Sequence, residues 1–114
     1  MKNLKFRIWD KQLKVFLYQL PEKHHLDWER FDVQQFTGLL DRLDKEIYEG
    51  DIVEWLEDNL GEWNILRVRA VVGFESGSFR IKDVPISEWG RADKEEMRFE
   101  VIGNIYKNPE LLEI

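Results

Sequence analysis

Lys45-Glu46-Ile47-Tyr48-Glu49-Gly50-Asp51-Ile52-Val53 reads as a tight turn that feeds a strand. Gly50 has no Cβ and takes φ > 0 readily, which suits the third position of a type II turn across Tyr48-Glu49-Gly50-Asp51. Asp51 is placed to hydrogen-bond nearby backbone amides and hold that turn. Ile52 to Leu56 continues as a strand, with Val53 and Trp55 on one face. These residues have geometric work to do.

Towards the N-terminus, residues 38–47 read two ways: Leu39, Leu43 and Ile47 have the i, i+4, i+8 spacing of a helix face, whereas the stretch is short and Asp41 and Asp44 flank Arg42-Leu43 as in a turn; periodicity alone gives a helical turn. Phe31 to Phe36 reads as a short strand closed by Thr37-Gly38. Glu22 to Arg30 is a polar loop after Pro21. Leu4-Lys5-Phe6-Arg7-Ile8 alternates apolar and cationic residues, the pattern of a half-buried strand with Leu4, Phe6 and Ile8 on one face. Val15-Phe16-Leu17-Tyr18 completes an opening hairpin.

Towards the C-terminus, Asp58-Asn59-Leu60-Gly61 is a turn, and Trp63 to Phe74 is the longest extended run. Its phase slips: Trp63 and Ile65 share one parity, whereas Leu66, Val68, Ala70, Val72 and Phe74 share the other. A β-bulge near Ile65-Leu66 would restore one apolar face. Glu75-Ser76-Gly77-Ser78 reads as a hairpin loop returning through Phe79 to Lys82. Asp83 to Glu96, with Pro85 and Gly90, reads mostly as loop, with room for a short helix. Met97 to Ile102 is a last strand, kinked at Gly103. Asn108 as N-cap and Pro109 as first helical residue give a helical turn that Leu111 and Leu112 pin to the core. Several short strands separated by turn residues argue for a small antiparallel sheet or barrel.

At 114 residues one domain is expected. Hydrophobic residues make up 43%, enough for a core, and five Trp, seven Phe and three Tyr bring much buriable area. Lys plus Arg is 17 against 23 for Asp plus Glu, a net charge of -6, which repels phosphate backbones on average. The absence of cysteine excludes disulfides, thiolate nucleophiles and Cys-ligated zinc. The N-terminus lacks the pattern of a signal peptide, and no apolar run approaches the ~20 residues of a membrane span. A soluble intracellular protein is expected.

Four separated pieces carry a resemblance. They are Lys5-Phe6-Arg7 with Trp9-Asp10; Phe36-Thr37-Gly38-Leu39 with Asp41; Lys45 to Val53; and Val101-Ile102-Gly103-Asn104-Ile105-Tyr106 with Asn108-Pro109-Glu110-Leu111. Together they resemble the YopX family of bacteriophage and prophage proteins of Gram-positive hosts. The stretch from about Asp58 to Glu96 matches poorly. Asp44 stands where the family usually has Gly, a mild change because Asp tolerates a left-handed turn. Ile8 stands where Ala is usual, which implies slightly different packing. The resemblance implies an SH3-like barrel entered at the Gly50-Asp51-Ile52-Val53 strand; with the residue pattern this gives a mainly β fold, with an N-terminal hairpin and loop over 1–36, the barrel over 37–114 and a short C-terminal helical turn. Tyr48, Glu49, Gly50, Asp51, Gly103, Asn104 and Pro109 are its structural motif. It implies no established activity and no cofactor.

His24-His25 with Asp27 and Glu29 suggests a metal site, but adjacent residues on an extended chain point opposite ways and no further histidine exists. A solvated loop explains them better. Glu46, Glu49 and Asp51 cluster near one turn as acid–base or Mg²⁺-binding carboxylates do, yet turn capping explains them more simply. No catalytic residue is assigned. Arg67, Arg69, Arg80 and Lys82 lie opposite the apolar faces of their strands. With Trp63 as a stacking platform they are the candidate binding residues, for single-stranded nucleic acid; the alternative is a solvated face paired with Glu62 and Glu75. Trp28, Trp55 and Trp89 exceed what a small core easily holds, which points to a partner surface. The favoured expectation is a non-enzymatic phage or prophage accessory protein in the bacterial cytoplasm. It binds a host or phage protein and self-associates. A nucleic-acid-binding barrel is the alternative, and an unrecognised hydrolase the more distant one.

Overall fold

A computed structural model of the chain describes residues 5–19, 29–58, 65–75, 77–82, 84–85 and 99–112. Within these residues the fold is mainly β and contains no α-helix. The strands are β1 (Phe6–Asp10), β2 (Val15–Leu17), β3 (Phe31–Leu40), β4 (Glu46–Tyr48), β5 (Asp51–Asp58), β6 (Ile65–Val71), β7 (Gly73–Glu75), β8 (Ser78–Ile81), β9 (Val84–Pro85) and β10 (Glu100–Asn104). They form three antiparallel sheets in the orders β2-β1-β3-β4, β10-β5-β6 and β7-β8-β9, curled as a half-barrel. No helix among the described residues is long and apolar enough to cross a membrane.

The opening hairpin of the sequence reading is present, pairing Trp9 with Phe16. Its expected burial is not. Phe6 is 48% exposed, whereas Ile8 and Trp9 on opposite faces are both buried. β3 does not stop at Phe36 but runs through Gly38 (φ +87) to Leu40, with a register irregularity between Phe36 and Leu40 where it pairs β4. β3 thus pairs β1 along one edge and β4 along the other.

The helical turn expected over 38–47 is instead a hairpin. Ile47 is fully buried and Leu39 packs beside it, but Leu43 points out at 63% exposure. The helical spacing of these three residues is coincidental: Leu43 sits at the tip of a turn between two strands. Asp44 takes φ +64 there, the left-handed geometry that the substitution of Asp for Gly has to tolerate.

The core draws on every sheet. Ile47, Val53, Trp55, Val72, Ile81 and Phe99 form one cluster, with Val68, Ala70, Phe79 and Val101 against it. The shared face of Val53 and Trp55 is therefore as expected. The run from 63 to 74 divides differently from the reading. Pairing with β5 is regular from Ile65 through Val71, and the break comes at Val72. There Gly50 N–H donates to Val72 C=O at 2.7 Å and Val72 N–H donates to Asp51 C=O at 2.9 Å. The backbone of the Gly50-Asp51 turn thus holds Val72 between β6 and β7, and the pairing is unbroken across Ile65-Leu66, where a bulge was expected.

The β7–β8 hairpin pairs Glu75 with Ser78 as read, with Gly77 at φ +79. Val84–Pro85 adds a short strand where loop was expected. β10 shifts register against β5 between Val101 and Gly103, the kink anticipated at Gly103. A Cβ on Gly103 would stand 2.7 Å from Asn108 Oδ1 and 2.8 Å from Leu111 Cδ1, so the C-terminal turn packs directly on that kink. That turn, Pro109–Leu112, is 3-10 rather than α-helical. Asn108 does not face forward to cap it: its Oδ1 accepts Asn104 N–H at 3.2 Å.

Candidate functional site

Arg7 is a cation that the alternation of β1 would send to solvent, yet it is only 9% exposed. Its Nε donates to Gln34 Oε1 at 3.0 Å, and its Nη2 donates to Asp51 Oδ1 in a buried ion pair. The guanidinium lies 4.3 Å from the ring centroids of both Phe16 and Tyr48, where the negative ring faces favour it. Asp51 Oδ2 accepts Tyr48 N–H at 2.8 Å, closing the turn as the sequence suggested. Asn104 Nδ2 donates to Gln34 Oε1 at 3.1 Å and to Asp51 Oδ1 at 3.2 Å. A buried charge stays charged only when paired and hydrogen-bonded, and Arg7, Gln34, Asp51 and Asn104 meet that condition together. Gly50 takes φ +85, and, separately, a Cβ there would fall on the Gln34 amide.

Two further buried carboxylates are also committed to the fold. Asp10 accepts Gln12 N–H and Leu13 N–H at 3.0 and 3.1 Å and takes a two-pronged pair from Arg30. The Arg30 hydrogen bond outweighs burial and holds the Asp10 carboxyl down at about 2. Asp41 Oδ1 accepts Leu43 N–H and Lys45 N–H, each at 2.8 Å, and Oδ2 accepts Val101 N–H. The carboxylates near the opening turn are similarly occupied. Glu46 pairs with Lys5 at 2.7 Å, and Glu49 Oε1 accepts Gln35 N–H at 3.0 Å. Tyr106 stacks on Trp9 and donates to Asp32 at 2.6 Å; burial, reinforced by Asp32, pushes its hydroxyl up to about 12. Burial, and then Glu46, raise that of Tyr48.

Two concavities adjoin this network. A groove of about 700 Å³ is lined by Phe6, Ile8, Val33 and Tyr18, with Lys5 and Glu46 at its edge. A cleft of about 390 Å³ runs between the N-terminal hairpin and β10, with Arg7, Phe16 and Asn104 in its lining and Lys45 and Lys107 beside them. Tyr18, Glu46 and Tyr48 contribute to both.

The candidate basic face is divided. Arg67 and Arg69 do come together, but over a carboxylate: Arg69 Nε lies 2.8 Å from Glu54 Oε2 and Arg67 Nε 3.6 Å from Glu54 Oε1. Arg69 also donates to Leu111 C=O at 3.2 Å. Arg80 belongs to the β7-β8-β9 sheet and donates to Glu75 C=O at 3.1 Å. Lys82 sits at φ +52 with its ammonium 5.5 Å from the centroid of the buried Trp55 ring. Trp63, the His24-His25-Asp27 cluster, Trp28, Trp89 and Glu62 lie outside the described residues. Among the described residues no three of His, Cys, Asp and Glu converge as metal ligands would.

Of the residues that build the site, the sequence marks the motif around Asp51 and Asn104 and places Asp41 beside a turn, but it assigns no role to Arg7 or Gln34. The available signal is weak: Arg7 and Asp41 belong to the quoted family pieces, and Gln34 is one of two adjacent glutamines in a strand.

The model of the YopX protein family matches residues 14–113. The crystal structure of protein EF1440 from Enterococcus faecalis has the same fold, with a TM-score of 0.72 and 23% sequence identity over 99% of this chain and 100% of that one. No curated protein matches the chain.

Proposed function

The chain belongs to the YopX family, and on that premise we propose that it is an accessory protein of a bacteriophage or prophage that works by binding another protein, without catalysis and without a cofactor. The reading includes an SH3-like closure of the half-barrel, a place in the bacterial cytoplasm and self-association. The observation that carries it is the groove of about 700 Å³ in which Phe6 and Tyr18 stand open, the latter 67% exposed. Open aromatics beside a concavity are the usual anchors of a protein interface. The buried carboxylates support the same reading, since each is spent on backbone amides or an arginine.

The test is affinity capture from host cells in which the phage genes are induced, with the wild-type chain and a Phe6→Ala/Tyr18→Ala variant. A reproducible partner captured by the first and lost from the second is expected. Equal capture by both, or none by either, overturns the reading. Sedimentation of the purified chain tests self-association.

A nucleic-acid role is the second reading. It draws on Arg67, whose side chain is 66% exposed and only loosely held by Glu54. Gel shift with single- and double-stranded DNA and RNA at low salt decides it, and no shift at micromolar protein removes it.

A further inference from the structure

We infer that the cleft between the N-terminal hairpin and β10 holds an acidic peptide segment of a partner protein, clamped by Lys45 and Lys107. The inference rests on the protein-binding reading above and specifies the partner's chemistry. The cleft carries unmatched positive charge. Among the cleft's ionised groups, Arg7 is matched by Asp51, and Glu46 is matched by Lys5 from outside. Lys45 and Lys107 are exposed and form no ion pair among the described residues. The ammonium of Lys107 lies 5.2 Å from the Phe16 ring centroid, on the ring that also carries Arg7. A chain with net charge -6 thus keeps a cationic cleft with an aromatic lining.

The same numbers choose the occupant. Two free ammonium groups suit a segment bearing one or two carboxylates around an apolar side chain, which would lie against Tyr18. A nucleic acid strand would bring many phosphates to two lysines and meet the repulsion of an acidic surface elsewhere. The buried Arg7–Asp51 pair fixes the cleft wall before binding, so little ordering is required of the protein.

The test is an NMR titration of the isotope-labelled full chain with the capped peptide Ala-Asp-Phe-Glu-Ala, its Ala-Asn-Phe-Gln-Ala analogue and a short oligothymidylate. The acidic peptide should shift the amides of Lys45, Tyr48 and Gly103 to Lys107, more weakly as salt rises. The Lys45→Gln/Lys107→Gln variant should bind it about five- to tenfold more weakly with an unchanged spectrum elsewhere. Equal binding of the neutral analogue, shifts mapping away from the cleft, preferred binding of oligothymidylate, or a change only in self-association each overturns the inference. The two ideas fail separately. A partner captured equally by wild type and the lysine variant removes the inference and leaves the protein-binding reading standing. Capture of nothing, together with no peptide shift, removes both.

Discussion

Asp41 Oδ2 accepts the backbone N–H of Val101 at 2.9 Å, across 60 residues of chain. The other oxygen of the same carboxylate holds the tip of the β3–β4 hairpin through Leu43 and Lys45. One side chain therefore fastens a local turn to the last strand of another sheet.

Replacing Asp41 by Ala leaves three amides without this acceptor. A loss of about 2–3 kcal/mol is expected from the unmet donors. Hydrogen exchange at Leu43, Lys45 and Val101 should quicken more than at Val53 or Trp55. Uniform quickening across the chain would show that the carboxylate does not fasten these two elements in particular.

The Arg7–Asp51 pair is buried, so removing one partner strands the other. Asp51→Ala should cost about 3–5 kcal/mol in urea unfolding, a large part of the stability of a domain this size. The Arg7→Met/Asp51→Leu double variant should be more stable than Asp51→Ala, because no charge is left unpaired. A double variant as unstable as the single one would mean that the hydrogen bonds to Tyr48 and Asn104, not the charge, dominate.

Gly50 and Gly38 both have φ near +85, but only Gly50 lies under another side chain. Gly38→Ala should cost about 1 kcal/mol from backbone geometry alone. Gly50→Ala should cost about 1–3 kcal/mol more, from the collision with Gln34. Adding Gln34→Ala to Gly50→Ala should recover none of the backbone cost. Thermal midpoints of the four chains measure all of this, and equal losses at the two glycines would refute the role of the close contact.

Asp10 supplies an acid limb to stability. Its carboxyl is held at about 2, below the ordinary 3.8, chiefly by Arg30. A depressed folded value stabilises above the ordinary range, and that contribution fades as pH falls from about 4 towards 2. Arg30→Gln brings the folded value closer to the unfolded one. The gap in urea midpoint between wild type and Arg30→Gln should be widest above about pH 5 and shrink steadily as the solution is acidified. A gap independent of pH would assign the effect of Arg30 to packing over Phe31.

The features legible in the sequence were local ones. Gly50 with Asp51, Gly103 and the Glu75–Ser78 hairpin each declare a backbone geometry through their own residue type. The spread of Leu39, Leu43 and Ile47 misled because a helix period and a hairpin with one outward tip produce the same spacing over so short a stretch. Arg7 was hidden for a deeper reason. Alternation sends charge to solvent unless a partner is known, and its partners Gln34 and Asp51 lie 27 and 44 residues away. Arg67 and Arg69 looked like a free basic face because Glu54, which answers them, stands on the neighbouring strand.

The network beneath the cleft also dictates an order of events during synthesis. Its hydrogen bonds span from 27 residues, between Arg7 and Gln34, to 70, between Gln34 and Asn104. Arg7, Gln34 and Asp51 leave the ribosome first, and Gln34 Oε1 and Asp51 Oδ1 wait for a further donor until Asn104 follows. Contacts of such separation make folding slow and late. The nascent chain is therefore held back from its final form until β10 has emerged, when the amide of Asn104 closes the set.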